Sequence, residues 1–368
     1  MTPGHAPFAD LHPESGDLLD GAYATLRPRS GLLREEPGAT YAVRATAYSH
    51  PPGGAHRDAA GFVTREPTRR LYALAGGVVR GAEGAVIDPA SGLAVRETVE
   101  TWDEPLARHA ALRPDGFEPV VRLPGVSMLL ATLGGEGFFH FLIDALPKLA
   151  LVREVSRSVD HVLVAGRGEP WRTAWLVQAG VDPARVRWLS AASHLACDQL
   201  LFTNRLVHHF EPNPWAVAAL RSLVPSPEPR AGDDRAVLWL DRTHAPARRK
   251  PWEGALHAVA APDATAVDFA GAAPLDVASA CARAGAFAGL HGAAFANILF
   301  APAGARVLEF QAEPVAPWYA RLAAVCGHRH LAVPVSADTL ALAAASARSF
   351  LEDDQEGAPE GEPPPPRQ

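Results

Sequence analysis

His291 and Gly292 interrupt an apolar stretch of the chain that otherwise reads as core. The run before them, Ala286–Leu290, has the length and composition of a buried strand, and the run after them reads as a short helix followed by a second strand. This order predicts a βαβ unit with parallel strands. The His-Gly corner then falls at the carboxyl end of a strand and the amino end of a helix, where free backbone N–H groups favour an anion.

Two structural interpretations compete with a ligand site in this window. No side chain between Arg283 and Arg306 carries a formal charge, so a membrane helix is conceivable, although the two glycine turns and Pro302 argue against it. The other is a βαβ unit with an incidental histidine. Because His291 and Asn297 are polar residues in otherwise apolar sequence, we favour the ligand site.

His140 and Asp144 form a second candidate. They lie four residues apart in an amphipathic run that follows a glycine loop, and on a helix this spacing puts both side chains on one face. An imidazole beside a carboxylate can take a proton from a hydroxyl. The alternatives are an ion pair that fixes the helix, or a histidine that caps the glycine loop.

A basic loop follows the strand-like run AVLWLD. Fixed cations at the carboxyl end of a strand would suit a diphosphate, whereas the alternative is a solvated loop, the usual role of a charge run. The basic residues of this loop are Arg242, His244, Arg248, Arg249 and Lys250.

Glu309 lies near the end of the second strand of the βαβ unit. A carboxylate in that position can bind the two hydroxyls of a ribose. It can equally be an exposed edge residue or a salt-bridge partner, and the sequence leaves these alternatives open.

Composition excludes several classes of protein. The chain has 368 residues, 48% hydrophobic and 20% charged, with a net charge of −7, which indicates a globular protein of two domains and argues against nucleic acid as a partner. Cys197, Cys281 and Cys326 are widely spaced, which favours free thiols in a reducing compartment. Because we find neither a signal peptide nor an integral membrane segment, we expect a cytoplasmic protein.

The order of predicted elements gives four regions. Residues 1–70 read as an irregular amino-terminal segment, and 71–230 as a β meander that passes into an α/β pattern. After a Pro-, Gly- and charge-rich linker, 235–350 form a second α/β domain, and 351–368 an acidic, proline-rich tail expected to be disordered. Two α/β halves predict a cleft between domains as the ligand site.

These motifs resemble those of the family-61 glycosyltransferases, which include bacterial capsule-type enzymes and plant xylosyl- and arabinosyltransferases. The resemblance covers roughly residues 127–334. The family's upstream helix motif is matched by His140, Asp144 and Pro147, and its strand followed by arginine by Arg242. Its His-Gly-Ala segment is matched by His291, Gly292, Ala293, Asn297, Phe300, Pro302, Gly304 and Glu309.

The resemblance implies an α/β, GT-B-like fold of two Rossmann-like domains that face a cleft, here with an N-terminal β-rich extension. It implies inversion at the anomeric carbon with no metal and no cofactor, the donor substrate being a nucleotide-diphosphate sugar, and the sequence has no Asp-x-Asp segment that would hold a divalent cation. A glycan or glycolipid hydroxyl would accept a hexose or pentose, in surface polysaccharide synthesis. The donor would be held by Arg242, Arg248, Arg249, His291, Gly292, Ala293, Asn297 and Glu309, although Asn297 can instead hold the loop.

The sequence departs from the family pattern at two places. Gly137-Phe138-Phe139 replaces an aromatic-and-Asn stretch before His140, and only Asp268 and Asp276 remain of the polar residues expected before the His-Gly-Ala strand. We expect Asp144 to act as the base, with His140 orienting or replacing it.

Rival classes remain. The first departure favours a non-catalytic glycan- or nucleotide-binding module of the same fold. A hydrolase or a dinucleotide oxidoreductase is disfavoured because the chain has no Gly-x-Ser-x-Gly and no Gly-x-Gly-x-x-Gly.

Overall fold

The computed structural model describes residues 5–7, 30–43, 46–49, 62–102, 105, 108–113, 115–152, 159–207, 211–225, 236–242, 249–313 and 317–352. Its contacts divide the chain into two compact units. Unit 1 comprises residues 1–38 and 67–208, and unit 2 comprises 39–66 and 209–368. In the part of the chain so described, no helix is both long enough and apolar enough to cross a membrane.

The described strands, in chain order, are β1 (His5–Ala6), β2 (Gly31–Glu36), β3 (Thr40–Val43), β4 (Thr46–Ser49), β5 (Phe62–Arg65), β6 (Arg69–Ala75), β7 (Val78–Arg80), β8 (Ala85–Ile87), β9 (Ala94–Val95), β10 (Val121–Leu129), β11 (His161–Ala165), β12 (Val186–Leu189), β13 (His194–Thr203), β14 (Ala236–Leu240), β15 (Thr265–Val267), β16 (Ala284–Leu290), β17 (Arg306–Gln311) and β18 (Arg329–Pro334).

The α-helices are α1 (Phe138–His140), α2 (Lys148–Leu151), α3 (Pro170–Gln178), α4 (Pro214–Leu223), α5 (Glu253–Ala260), α6 (Pro274–Ala282), α7 (Trp318–Val325) and α8 (Leu340–Glu352). A π-helix covers Phe141–Ala145. Short 3-10 helices cover Arg96–Thr98, Ala110–Leu112, Pro183–Arg185, Ala293–Phe300 and Ala337–Thr339.

Unit 1 is built on a mixed ten-stranded sheet. The order is β1-β9-β8-β7-β13-β10-β11-β12, with β6 paired to β13 and β2 to β6. Strands β10 to β13 run parallel to their neighbours within this group, whereas β6 and β7 run antiparallel to β13. The antiparallel series β7-β8-β9 confirms the predicted meander, and β11, α3 and β12 confirm the α/β pattern that follows it.

Two expectations for the amino-terminal half need correction. The region 1–70, expected to be irregular, contains strands β1 to β5 and the start of β6. Some of these strands pair with strands that are distant in sequence, β2 with β6 and β4 with β18, so no local sequence pattern predicts them. The amphipathic run after the glycine loop is not one helix, because the π-helix and then Pro147, which has no amide hydrogen, separate α1 from α2.

Unit 2 is built on a parallel six-stranded sheet of order β15-β14-β16-β17-β18-β4. The predicted βαβ unit is confirmed, since β16 and β17 pair in parallel, although its short helix is a 3-10 helix. All residues of β16 are buried. Strand β18 and helix α7 were not predicted. The hydrophobic core of this unit joins the sheet to α5 and α8, and β3 and β5 form a separate antiparallel pair.

Candidate functional site

The His-Gly corner of unit 2 lies at the topological switch point of the parallel sheet. From β14 the chain moves through α5 to β15 on one side, and from β16 it moves to β17 on the other. Arg242 follows the carboxyl end of β14 and His291 follows that of β16. Ligands of open α/β sheets bind in the crevice outside such a pair of strand ends.

Glu309 holds the imidazole of His291. The carboxylate lies in β17, beside β16, and is only 1% exposed. Its Oε1 is hydrogen-bonded to Nδ1 of His291, and its Oε2 lies 2.8 Å from Nε2 of His330 in β18. Both oxygens are thus engaged inside the protein, so Glu309 orients His291 in this structure. With Nδ1–H donating to Glu309, a neutral His291 ring carries its lone pair on Nε2.

The electrostatics of this cluster favour an ionised Glu309. Burial alone would raise the pKa of Glu309, but the hydrogen bonds and charges of His291 and His330 outweigh burial and lower it to about 2. His330 is 3% exposed, and its Nδ1 is buried with no hydrogen-bond partner among the described residues. Sequence reasoning missed His330, because only the pairing of β17 with β18 brings it to Glu309.

Arg242 fixes the backbone of the corner. Its Nη1 donates to the carbonyl of His291 over 2.7 Å, while Nε and Nη2 lie 3.3 and 3.4 Å from the carboxylate of Glu253 in α5. The side chain is buried. Gly292 allows this approach, because a Cβ there would lie 3.1 Å from Cδ of Arg242.

The remaining predicted donor residues differ in exposure. Ala293, the first residue of the 3-10 helix, is exposed, as is Arg249. Asn297 is 1% exposed, and its Nδ2 donates to the carbonyl of Ala294 over 3.0 Å, which holds the loop. Arg248 lies outside the described residues.

In unit 1 the structure brings His140 and Asp144 together as predicted from their spacing. Nδ1 of His140 lies 2.7 Å from Oδ2 of Asp144. The Trp102 ring, 39% exposed, packs 5.0 Å from the His140 ring. Gly134, at φ +70°, makes room for both rings, since a Cβ would lie 2.7 Å from Cδ2 of His140 and 2.9 Å from Cζ2 of Trp102.

Arg172 anchors the glycine loop that precedes His140. This fully buried side chain extends from α3, donates to the carbonyl of Glu136 in the loop and pairs with Glu169. Its guanidinium lies 4.4 Å from the centre of the Trp171 ring, a cation–π contact. The loop is therefore held by a side chain from the next α/β connection, which no local pattern indicated.

Lys148 and Glu100, two charged side chains of unit 1 that interact electrostatically with Asp144, are largely removed from solvent. Lys148, at the start of α2, is 7% exposed and donates to the carbonyl of Ala131 over 2.8 Å. Glu100 pairs with Arg205 over 3.5 Å. The sequence analysis gave no role to Lys148, and it did not identify Glu100 or Arg205, which are distant in the chain.

Each unit of this α/β protein thus holds an imidazole against a carboxylate, and in unit 2 that imidazole lies at the switch point of the parallel sheet. The model of the glycosyltransferase 61 family matches residues 138–308, a segment that contains His140, Asp144, Arg242 and His291. This match supports a family-61 glycosyltransferase and confirms the resemblance predicted from the motifs. A search of curated proteins finds no match to the chain.

Proposed function

We propose that this protein is an inverting, metal-independent glycosyltransferase that moves a sugar from a nucleotide-diphosphate donor to a glycan hydroxyl. The 2.7 Å contact between His140 and Asp144, inside the family-matched segment, carries the proposal. Surface polysaccharide synthesis on a GT-B fold belongs to the same proposal and is supported by the family resemblance alone, and the cytoplasmic location is supported only by the sequence features given above.

The sequence analysis expected Asp144 as the base and allowed His140 in its place. The contact of Nδ1 of His140 with Asp144 favours the second alternative, with His140 as the proton acceptor and Asp144 as its orienting partner. A neutral ring that donates Nδ1–H to Asp144 carries its lone pair on Nε2, so Nε2 can take the proton. The acceptor oxygen attacks the anomeric carbon as its proton passes to Nε2. The bond from that carbon to the diphosphate oxygen breaks, and the diphosphate leaves with the electron pair. A single displacement of this kind inverts the anomeric centre.

The His-Gly corner of unit 2 receives the diphosphate. Arg242 donates to the His291 carbonyl and so fixes the backbone that enters the 3-10 helix. In this proposal the backbone N–H groups of Gly292 and Ala293, at the amino end of that helix, bind the diphosphate. His291, oriented by Glu309, directs its other nitrogen to the sugar or the diphosphate, and Arg248 and Arg249 supply positive charge. Removing one preorganised contact to the leaving group costs on the order of 10²–10³ in rate.

A thermal-shift panel of nucleotide diphosphates and nucleotide-sugars, with and without magnesium, tests the donor site. We expect one nucleotide diphosphate to stabilise the protein without magnesium, by about 2.7 kcal/mol at 100 times its Kd. His291→Ala should abolish the shift. His257→Gln is the matched control, because His257 is bonded to the carbonyl of Ala264, just before β15, at the amino edge of the same sheet. No shift with any nucleotide would refute the donor site.

The second candidate is a binding module without turnover. The replacement of the family's aromatic-and-Asn stretch by Gly137-Phe138-Phe139 favours it. Release of nucleotide diphosphate from a donor sugar in the presence of acceptor separates the two candidates. The enzyme releases it and Asp144→Ala does not, whereas a module binds the nucleotide and releases none in either form.

A further inference from the structure

Trp102 differs from the other tryptophans of the chain in its exposure. The structure describes all eight tryptophans, and Trp102, at 39%, is the exposed one, while the others are buried or half-buried. Tryptophan is highly buried on average, so an exposed indole departs from the usual distribution. Single exposed apolar side chains are nonetheless common on protein surfaces, so exposure alone gives Trp102 no role. Its position in the site does.

The indole of Trp102 lies at the Nε2 edge of the His140 ring. The two ring centres are 5.0 Å apart, with the ring planes inclined by 54°. A Cβ at Gly134 would lie 2.7 Å from Cδ2 of His140 and 2.9 Å from Cζ2 of Trp102, so these two atoms flank one point. Cδ2 is covalently bonded to Nε2, whereas Nδ1, on the other edge of the imidazole, is hydrogen-bonded to Asp144. The nitrogen that accepts the proton in the proposed mechanism therefore belongs to the edge beside the indole.

An acceptor hydroxyl has to approach this edge of His140. Proton transfer requires its oxygen within about 2.6–3.2 Å of Nε2. The His140 side chain is 15% exposed, so it is not sealed from solvent. A sugar ring extends well beyond the hydroxyl that it carries. When the oxygen is at Nε2, the ring therefore has the exposed indole of Trp102 as its neighbour.

A sugar ring and an indole are chemically complementary. The C–H groups on one face of a sugar ring carry slight positive charge on their hydrogens, and the face of an aromatic ring carries negative charge. Stacking also removes apolar surface of both partners from water, which is favourable. The hydroxyls at the rim of the sugar remain available for hydrogen bonds. An exposed indole beside a proton acceptor thus suits a sugar as the molecule that donates the proton.

We propose that the Trp102 indole is a platform on which the ring of the acceptor sugar stacks while one of its hydroxyls meets Nε2 of His140. Trp102 lies outside residues 138–308, so the family match does not assign it this role. The proposal rests on the transferase function proposed above and names the surface that binds the acceptor. Trp102 contributes to acceptor binding and takes no part in the proton transfer.

Fluorine NMR on the full chain labelled with 5-fluorotryptophan tests the contact directly. The Trp102 signal is assigned by its loss in Trp102→Phe. The probes are the methyl glycosides of glucose, galactose, N-acetylglucosamine and xylose, with sorbitol as a polyol that has no ring. We expect at least one glycoside, but not sorbitol, to shift the Trp102 signal saturably. The signal of Trp175, which is 2% exposed in the same unit and is assigned by its loss in Trp175→Phe, should not move.

Steady-state kinetics, with the glycoside that binds best as acceptor, separates binding from support of His140. Trp102→Leu keeps an apolar side chain beside His140 but offers no flat face, so we expect the acceptor KM to rise about tenfold. The value of kcat and the donor KM should stay near wild type, because the stacking is equally present in the ground state and the transition state. Val177→Ala is the matched control, since Val177 is an exposed apolar residue of α3 in the same unit.

Two results would overturn the platform. One is the absence of any saturable shift of the Trp102 signal with all four glycosides. The other is a Trp102→Leu variant that loses kcat at an unchanged acceptor KM, because the indole would then only support the His140 ring. If the wild type releases no nucleotide diphosphate while the Trp102 signal still shifts, the proposed function fails and sugar binding at Trp102 stands.

Discussion

His140 and His291 each direct Nδ1 to a carboxylate, Asp144 in unit 1 and Glu309 in unit 2. The first pair arises locally, from a four-residue spacing on one helical segment. The second joins residues 18 positions apart, through the parallel pairing of β16 with β17. Both contacts fix the tautomer of the ring, so each histidine has a defined acceptor nitrogen when it is neutral.

At the unit 1 pair we expect a large loss of turnover from small changes. His140→Gln removes the proton acceptor, and Asp144→Asn removes the partner that sets its tautomer, so each should lower kcat by about 10²–10⁴. Release of nucleotide diphosphate measures this. His194→Gln, at the start of β13 and thus the opposite edge of the sheet, should retain wild-type kcat. Full activity in His140→Gln would remove His140 from the mechanism.

At the unit 2 pair we expect a pH-dependent contribution to stability. The pKa of Glu309 is lowered to about 2 in the folded protein, below the unfolded value of about 4.3. Its stabilising contribution, on the order of 3 kcal/mol, is therefore fully present above about pH 5 and is lost as the pH falls toward 2.

Chemical unfolding of the wild type and Glu309→Gln across this range measures that contribution. The difference in unfolding free energy should be greatest near neutral pH and shrink on acidification. A difference that stays constant from pH 7 to pH 3 would contradict the ionised, doubly bonded carboxylate.

Sequence reasoning identified residues better than their partners. The spacing of His140 and Asp144 predicted their contact, because an i,i+4 pair depends only on helical geometry. The basic loop indicated Arg242 as a diphosphate contact, and the structure adds two protein partners that the sequence did not indicate, Glu253 and the carbonyl of His291. A charge pattern shows that a loop is basic, but only the folded chain shows which acceptors lie within reach.

Among the elements, the glycine loop before α1 decides where His140 can lie. Gly134 has φ +70°, and the rings of His140 and Trp102 occupy the space that a side chain at this position would need. Gly92 has nearly the same backbone, φ +71°, but a Cβ added there would have no atom within 4 Å. A side chain at either glycine would be strained by the left-handed backbone, but only at Gly134 would it also collide with neighbouring rings.

We therefore expect Gly134→Ala and Gly92→Ala to lose similar stability through backbone strain, roughly 1–2 kcal/mol. Only Gly134→Ala should also displace His140 and lose most of its turnover. Thermal unfolding and kcat, measured on both variants, separate the two effects. Equal kcat in Gly134→Ala and Gly92→Ala would mean that the His140 ring keeps its position beside the added methyl group.

The regular elements were predicted well where hydrophobic periodicity is local. Strand β11 and helices α3 to α6 lie in the two regions for which the sequence predicted an α/β pattern. The π-helix, the 3-10 form of Ala293–Phe300 and strand β4 were not predicted, because each depends on tertiary contacts. In β4, for example, the partner β18 lies nearly three hundred residues later in the chain.

At the scale of the whole molecule, the chain leaves unit 1 after β2 and returns to it at β6. The intervening residues, 39–66, belong to unit 2, where β4 supplies the edge strand next to β18. Cooperative units of a protein exchange their amide hydrogens together. The protection of the β4 amide hydrogens should therefore follow that of β18, its partner in the sheet, rather than that of β2, its near neighbour in sequence.

Hydrogen exchange on two core variants checks this assignment. Leu308 in β17 and Leu200 in β13 are both fully buried, and truncation to alanine should cost about 2–5 kcal/mol in either case. Leu308→Ala should accelerate exchange in residues 46–49 together with β18, and Leu200→Ala should accelerate it in β2 and β6. Acceleration of residues 46–49 by Leu200→Ala instead would contradict the division of the chain.

Strand β16 has a consequence for how this protein can vary. Apart from Phe287 and Leu290 it consists of glycine and alanine, and every residue is buried. A Cβ on Gly289 would lie 3.0 Å from the carbonyl oxygen of Leu240. A scan of all substitutions would then find β16 as intolerant as the His-Gly corner that follows it, although its residues need touch no substrate. Separating the two requires scoring abundance as well as activity, because we expect changes in β16 to lower the amount of folded protein and changes at His291 to lower activity by more than the loss of folded protein explains.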